Sequence, residues 1–389
     1  MTLLHMTDER KAPGARTRVL LFTNSITIGG MEEHVELLAR HLDRKRFEVF
    51  SMCPDWPGLE PFQRSLEKAS DHFALATPDS RYDTRRLVTE AVGMTQKLRA
   101  WAINVVHMHS TTYRGQFYAL AAARLAGVQR VYVTEHLPPE QTLPKRERLV
   151  REVFTRSVTG IVCVSQKNYI SRSAHIYTPP ERTIVVNNGV DLDDFPEISE
   201  QTLAELRARY GIPADAQIVG TAVRFEPEKG LSYLVDAMPR IKAECPKAHF
   251  LLVGDGSLRG ELGAHVARLN LTSSVTFAGF QNDPRSYVRA MDAFVLPVPV
   301  GSMSIGLLEA MAMKRAVVMT FGGVGEAVID GESGFCAEPR SADAIADRVI
   351  RILKDPALRA RLGENAYRRI SSEFSAQNVA RSLGALYAG

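Results

Sequence analysis

The sequence predicts an α/β protein made of two facing Rossmann-like domains with a ligand cleft between them, and three observations predict it. Short apolar runs such as RVLLFT at 18–23 and IVCVS at 161–165 alternate with segments whose apolar residues recur at helical spacing. Several runs end in glycine, serine, histidine or charged residues, where a parallel sheet gathers its ligands. The alternation occurs twice, on either side of an acidic, proline-containing stretch marked by Asp194, Pro196 and Glu200. The boundaries that follow are a flexible extension over residues 1–17, an N-terminal domain over 18–195 and a C-terminal domain over 196–370.

Composition narrows the class. At 389 residues, 45% hydrophobic and 24% charged, the chain has the make-up of a folded protein. A net charge of +4 gives nucleic acid little support as a partner, and an anionic small molecule or a membrane surface fits as well. Cys53, Cys163, Cys245 and Cys336 lie far apart without a CxxC and read as buried free thiols of a reducing cytoplasm. No apolar run reaches the ~18 residues that span a bilayer, and the first residues lack a secretory apolar region, so a cytoplasmic location is expected.

The first strand, 18–23, leads through 24–30 into a helix at 31–42 with Met31, Val35, Leu38, Ala39 and Leu42 on one face. Gly29 and Gly30 let the backbone turn tightly, either to approach a ligand at the helix N-terminus or as a simple turn, and Glu32 and Glu33 suit the dipole there. A strand at 47–53 and a helix at 86–100 precede a third strand at 104–109. His107 and His109 are read onto opposite faces of that strand, so that they do not share a site. Strands at 130–133 and 161–165 follow, which puts His109, His136 and Ser165 at strand ends, as ligand contacts or as structural residues.

Between those strands, 143–155 carries Lys145, Arg146, Arg148 and Arg151 beside Leu149, Val150, Val153 and Phe154. It reads either as a dock for an anionic membrane or polyanionic acceptor, or as an ordinary solvated helix. The first reading gives a weak peripheral contact, through the helix from Lys145 to Arg156, at the inner membrane face. A strand and Asn-Gly turn at 184–191 close this half; the second has strands at 218–223, 249–253, 274–277, 293–296 and 316–319 and a helix at 231–244.

The strand ending at Leu296 runs into a turn containing Gly301, Ser302, Met303 and Ser304 and then an apolar helix from Ile305. Small residues before free helix N–H groups let a phosphate or sugar hydroxyl approach the main chain. Glu309, one turn in, is placed to accept from both hydroxyls of a ribose, or is a helix-surface carboxylate. Arg224 and Lys229, five apart across a turn, converge on one diphosphate or are surface charges. Gly254-Asp255-Gly256 resembles a dinucleotide fingerprint, but Arg259 stands in place of the third glycine, so a nicotinamide enzyme is disfavoured.

With IGGMEEH, VVNNGVD, RFEPEKG, LLVGDG, FAGF, SMSIGLLEAMA and GGVGEAVIDGESG in this order from Arg18 onward, the chain resembles the family-four retaining glycosyltransferases of the GT-B fold. The resemblance implies a nucleotide-sugar donor, UDP- or GDP-linked, and a saccharide, lipid-linked or small-molecule acceptor. It implies that Arg224 and Lys229 hold the donor diphosphate and that Glu309, second glutamate of a Glu-x7-Glu motif, binds the ribose. His136 would lie near the transferred sugar, with Gly29, Gly30, Gly254, Ser304 and Ile305 around the nucleotide. His109, Ser165, Gly301, Ser302 and Met303 would face sugar or acceptor. The segment 371–389 would cross back to the N-terminal domain, and the loops at 56–62, 79–86 and 137–144 would shape the acceptor pocket. No cofactor is implied, the nucleotide sugar being a co-substrate, and no metal is expected, since no Asp-x-Asp pair stands at a strand end.

One position departs from the pattern: Gly301 stands where the family has its first glutamate, the carboxylate on the donor sugar. An altered donor, a compensating residue or lost catalysis would each account for it. The reaction implied is front-face displacement, with the leaving diphosphate taking the acceptor proton. A catalytically silent nucleotide-sugar sensor or partner subunit is the alternative.

Overall fold

The computed structural model describes residues 15–76, 84–110, 116–137, 143–195, 197–299, 304–320 and 327–389, with backbone alone at 84–87. The chain divides into two compact units, Met1–Cys163 with Ser171–Val186 and Ala380–Gly389, and Val164–Ile170 with Asn187–Val379. Each is an α/β domain of Rossmann type around its own parallel sheet.

In the first, β1 (Thr17–Thr23), α1 (Gly30–His41), β2 (Phe47–Pro54), α2 (Glu60–Ala69), β3 (His72–Ala76), α3 (Thr84–Ala100) and β4 (Val105–Ser110) are followed by α4 (Phe117–Leu125), β5 (Arg130–Glu135), α5 (Lys145–Ser157), β6 (Gly160–Cys163), α6 (Gln166–His175) and β7 (Thr183–Val185). The strands are parallel in the order β3-β2-β1-β4-β5-β6-β7. Helices cover both faces of such a sheet, so its strands must be apolar throughout, and Val19, Leu20, Leu21 and Phe22 are all fully buried. The winding reverses between β1 and β4, which opens a crevice at their carboxyl ends.

In the second, α7 (Glu200–Arg209), β8 (Gln217–Ala222), α8 (Leu231–Glu244), β9 (Ala248–Val253), α9 (Arg259–Arg268), β10 (Val275–Gly279), α10 (Arg285–Arg289), β11 (Ala293–Leu296), α11 (Ile305–Ala312), β12 (Ala316–Thr320) and β13 (Phe335–Ala337) precede three helices. These are α12 (Ala342–Lys354), α13 (Pro356–Glu373) and α14 (Ala376–Ala388). The order β10-β9-β8-β11-β12-β13 repeats the first plan, with its reversal between β8 and β11. All four cysteines are buried free thiols, and no described helix is long and apolar enough to cross a membrane.

The chain changes unit at Asn187, earlier than the proline-containing stretch. The reason is local: Val190 N donates to Phe374 O and Ala376 N to Val190 O, both at 2.9 Å, so this turn is fastened into the second unit. A Cβ on Gly189 would come within 2.7 Å of Phe374 O, which explains why the turn is Asn-Gly. Strand β7 stops at Val185, ahead of the Asn-Gly turn, which matches the strand and turn read at 184–191. At the other end the return to the first unit begins at Ala380, within α14 and later than residue 371. Phe62, read into a loop at 56–62, is a buried residue of α2.

Candidate functional site

In the first unit the histidines form one buried group. His107 and His109 are two residues apart, so the pleat aims them the same way; their ring centroids are 4.2 Å apart, which corrects their placement on opposite faces. His109 Nδ1 lies 3.4 Å from His136 Nε2, and His136 N donates to Ser110 O at 2.9 Å, tying the ends of β4 and β5 together. His34 on α1 completes the group, 5.5 Å from His109 and 5.2 Å from His136 between centroids. Neither nitrogen of His34, nor His109 Nε2, has a partner among the described residues. Burial therefore keeps these rings neutral: it lowers His34 to about 4 and, with the charge of His34, lowers His107 to about 3. His109 and His136 are held well below the usual range first by the same cause. His107 is tied down instead, to Thr134 Oγ1 at 2.8 Å and to the hydroxyl of Tyr387.

His34 was not singled out by the sequence, although it lies on the same helical stripe as Met31, Val35 and Leu38, all buried. Glu32 stands in the first turn of α1, where the sequence reading sets it against the helix dipole. It is buried, and burial, partly offset by hydrogen bonds from Ser25 and the backbone, raises it to about 7. Gly29 makes no left-handed turn, its backbone being extended at φ −173°, while Gly30 opens α1 at the mouth of the first crevice. Ser165 caps α6, its Oγ accepting from Asn168 N at 2.9 Å.

In the second unit, Arg224 and Lys229 lie on the loop after β8, beside the reversal. A short 3-10 turn, Pro227–Lys229, lifts the lysine, and Gly230 ends it in the left-handed conformation at φ +67°. A Cβ there would sit 2.3 Å from Pro297 O, so the loop packs directly against the chain leaving β11. The second brace is Gly254, at φ +130°, where a Cβ would lie 2.0 Å from Val223 O. Phe225 N donates to Asp255 O at 2.8 Å, and Glu226 accepts from Ser257 Oγ at 2.6 Å and Ser257 N at 3.2 Å. Those bonds hold the Glu226 carboxyl below its usual value. The two loops form one stiff frame.

The side chain of Arg224 is 74% exposed, meeting Glu228 at 3.6 Å in a surface pair of small energetic weight. Burial and then the Arg224 charge lower the Lys229 pKa. Two cations that oppose each other on a stiff frame favour any dianion placed between them. Across the reversal, Ser304 and Ile305 open α11, with the Ser304 hydroxyl left unused as a cap. Gly306 approaches Ala222 O of β8, and half-buried Glu309 follows in the second turn of α11. Arg285, held first by Asp283, also feels the Glu309 charge. Gly301, Ser302 and Met303, and the GGVGE stretch at 322–326, lie outside the described residues.

Two family models match this chain, Glycosyltransferase Family 4 over residues 28–194 and Glycosyl transferases group 1 over residues 204–369. The alpha-D-kanosaminyltransferase of Streptomyces kanamyceticus is 32% identical over 199 residues, a match to 50% of this chain and about half, 51%, of that relative. The UDP-Gal:alpha-D-GlcNAc-diphosphoundecaprenol alpha-1,3-galactosyltransferase of Escherichia coli is 26% identical over 344 residues, 86% of this chain and 87% of its own. The crystal structure of Anabaena Alr3699/HepE in complex with UDP and glucose shares the fold at a TM-score of 0.81 and 21% identity, covering 96% of this chain and 100% of its own.

Proposed function

Since the chain belongs to the family-four glycosyltransferases of the GT-B fold, we propose that it moves a hexosyl group from a UDP- or GDP-sugar to a hydroxyl acceptor with retention at the anomeric carbon. One observation carries this reading: the frame at the β8/β11 reversal presents Arg224 and Lys229 beside the start of α11, with Glu309 one turn in. The diphosphate fits the cations and the helix N-terminus, and the ribose diol fits the Glu309 carboxylate.

The bond from the anomeric carbon to the β-phosphate oxygen breaks as the acceptor oxygen bonds to the same face of that carbon. The acceptor proton passes to the departing phosphate oxygen. Arg224 and Lys229 meet the charge that develops there, so positive charge fixed before the reaction does the catalysis. His136 and His109, neutral in their buried group, offer hydrogen bonds to sugar or acceptor hydroxyls without adding charge. The comparison with the Escherichia coli relative, whose name specifies a diphosphoundecaprenol acceptor, favours a saccharide on a lipid carrier.

Gly301 supports a second reading, a nucleotide-sugar sensor, because it removes the sugar-side carboxylate and leaves the nucleotide contacts. Thermal stabilisation by UDP-, GDP-, ADP- and dTDP-sugars and their bare nucleotides, with Arg224→Ala as control, separates the two. A donor at ~100 times its dissociation constant adds roughly 2.7 kcal/mol. One nucleotide sugar that stabilises well beyond its nucleotide supports transfer; equal stabilisation by bare nucleotide supports the sensor. No stabilisation by any of them sinks both.

A further inference from the structure

Away from the site, α5 has two faces that differ in what they touch. Arg151, Phe154 and Thr155 turn inward; Phe154 meets Phe117 edge-on at 5.1 Å, and Arg172 Nη2 donates to Thr155 Oγ1 at 3.0 Å. On the opposite side Leu149 and Val153 are 62% and 55% exposed, with Val150 at 37% beside them. Arg146, Leu149, Val150 and Val153 keep the i, i+3, i+4, i+7 spacing of a helix face that is normally covered. Nothing among the described residues covers it.

The charges around this stripe are arranged unusually. Arg151 and Arg156 are paired with Glu147 and Glu152, one turn earlier, at 3.8 and 2.6 Å. Lys145, Arg146 and Arg148, all exposed in the first turn, make no ion pair or side-chain hydrogen bond among the described residues. A helix N-terminus is the end where cations are disfavoured, so three unpaired ones there call for an anionic surface to offset them.

We propose that this face of α5 docks on an anionic lipid bilayer, with Leu149, Val150 and Val153 entering the headgroup boundary and Lys145, Arg146 and Arg148 meeting lipid phosphates. Charge complementarity selects an anionic partner, and the apolar stripe selects a bilayer over a soluble polyanion, which gains nothing from Leu149 or Val153. In a parallel sheet the helix after a strand begins near that strand's carboxyl end, so the docked turn lies toward the edge that carries His136. An acceptor carried in the lipid would then arrive on that edge. Docking itself does not depend on the transfer reaction.

Co-sedimentation of the full chain with phosphatidylcholine vesicles, and with vesicles containing about one third phosphatidylglycerol, tests the surface. Wild type is expected on the anionic vesicles alone, released as salt rises from about 0.1 to about 0.5 M. Since each cation near such a surface contributes roughly fivefold, the K145Q/R146Q/R148Q variant, which removes three charges, should bind about a hundredfold more weakly. The L149S/V153S variant should bind about tenfold more weakly at low salt. Unchanged thermal melting of both variants, whose sites are exposed, shows that the fold is kept. Binding that ignores lipid charge, wild type that stays in the supernatant, or variants that bind as wild type does would overturn the proposal. So would heparin binding that L149S/V153S leaves intact in a protein that ignores vesicles, which would give the patch to a soluble polyanion.

Discussion

Arg224 and Lys229 differ in how their surroundings leave them, and so in what their loss should reveal. Arg224 projects from the frame, held among the described residues by Glu228, while Lys229 is half-buried and its charge is disfavoured until an anion arrives. Arg224→Ala and Lys229→Met should each reduce turnover by about two to three orders of magnitude, the scale of a lost oxyanion donor. Melting temperature without ligand should hardly change for Arg224→Ala. Steady-state kinetics with the donor found by thermal shift checks both, and wild-type turnover in either variant would remove that residue from the mechanism. These cations were legible in the sequence because charge across a short turn after a strand is a local pattern. His34 was not, because an imidazole on an apolar stripe looks like a core residue until the ends of β4 and β5 bring two more rings against it.

At the scale of elements, the site depends on loops that brace each other. The contact of Gly254 with Val223 O leaves no room for a methyl group, and its φ of +130° is strained for any other residue. Gly254→Ala should therefore destabilise the second unit by roughly 2–5 kcal/mol and lower its melting temperature by roughly 5–15 °C. A calorimetric scan with an unshifted transition would show that the frame tolerates the change. Strands such as β1, β8 and β11 could be read from their apolar runs, since burial on both faces permits little else. Helices α7 and α9 and strand β3 were missed because mixed polar faces and short spans dilute their periodicity. The change of unit at Asn187 was hidden for another reason, since its cause, the Phe374 carbonyl, lies far along the chain.

For the whole molecule, the buried imidazoles set an acid limit. A base whose pKa falls on folding stabilises the fold above its unfolded value of about 6.5, and that stability is lost as pH drops through the folded value. For His34 the loss runs down to about 4 and for His107 to about 3, several kcal/mol for the pair when complete. Glu32 acts in the opposite sense: its raised pKa favours the fold at low pH, and this contribution fades as pH rises from 4.5 to about 7. Urea midpoints should thus fall steeply below about pH 5.5. His34→Leu, which removes two unpartnered nitrogens, should keep neutral stability within roughly 1 kcal/mol and flatten that fall. An unchanged acid slope in this variant would place the sensitivity elsewhere.

The last residues of α14 belong to the first unit, where Tyr387 packs edge-on against Phe47 at 6.1 Å and reaches His107, and its carbonyl accepts from Arg130 Nη1 at 2.7 Å. Tyr132 donates to Leu386 O at 3.0 Å in the same place. A ribosome releases the chain from its N-terminus, so the first unit waits for Ala380–Gly389, which follow the residues of the second unit along the chain. Until Tyr387 leaves the exit tunnel, the nascent protein carries an uncovered hole against Phe47 of β2, His107 of β4 and Tyr132 of β5. Completion of the second domain is thereby also the step that seals the first, which makes a chain cut short by premature termination a target for chaperones and proteases.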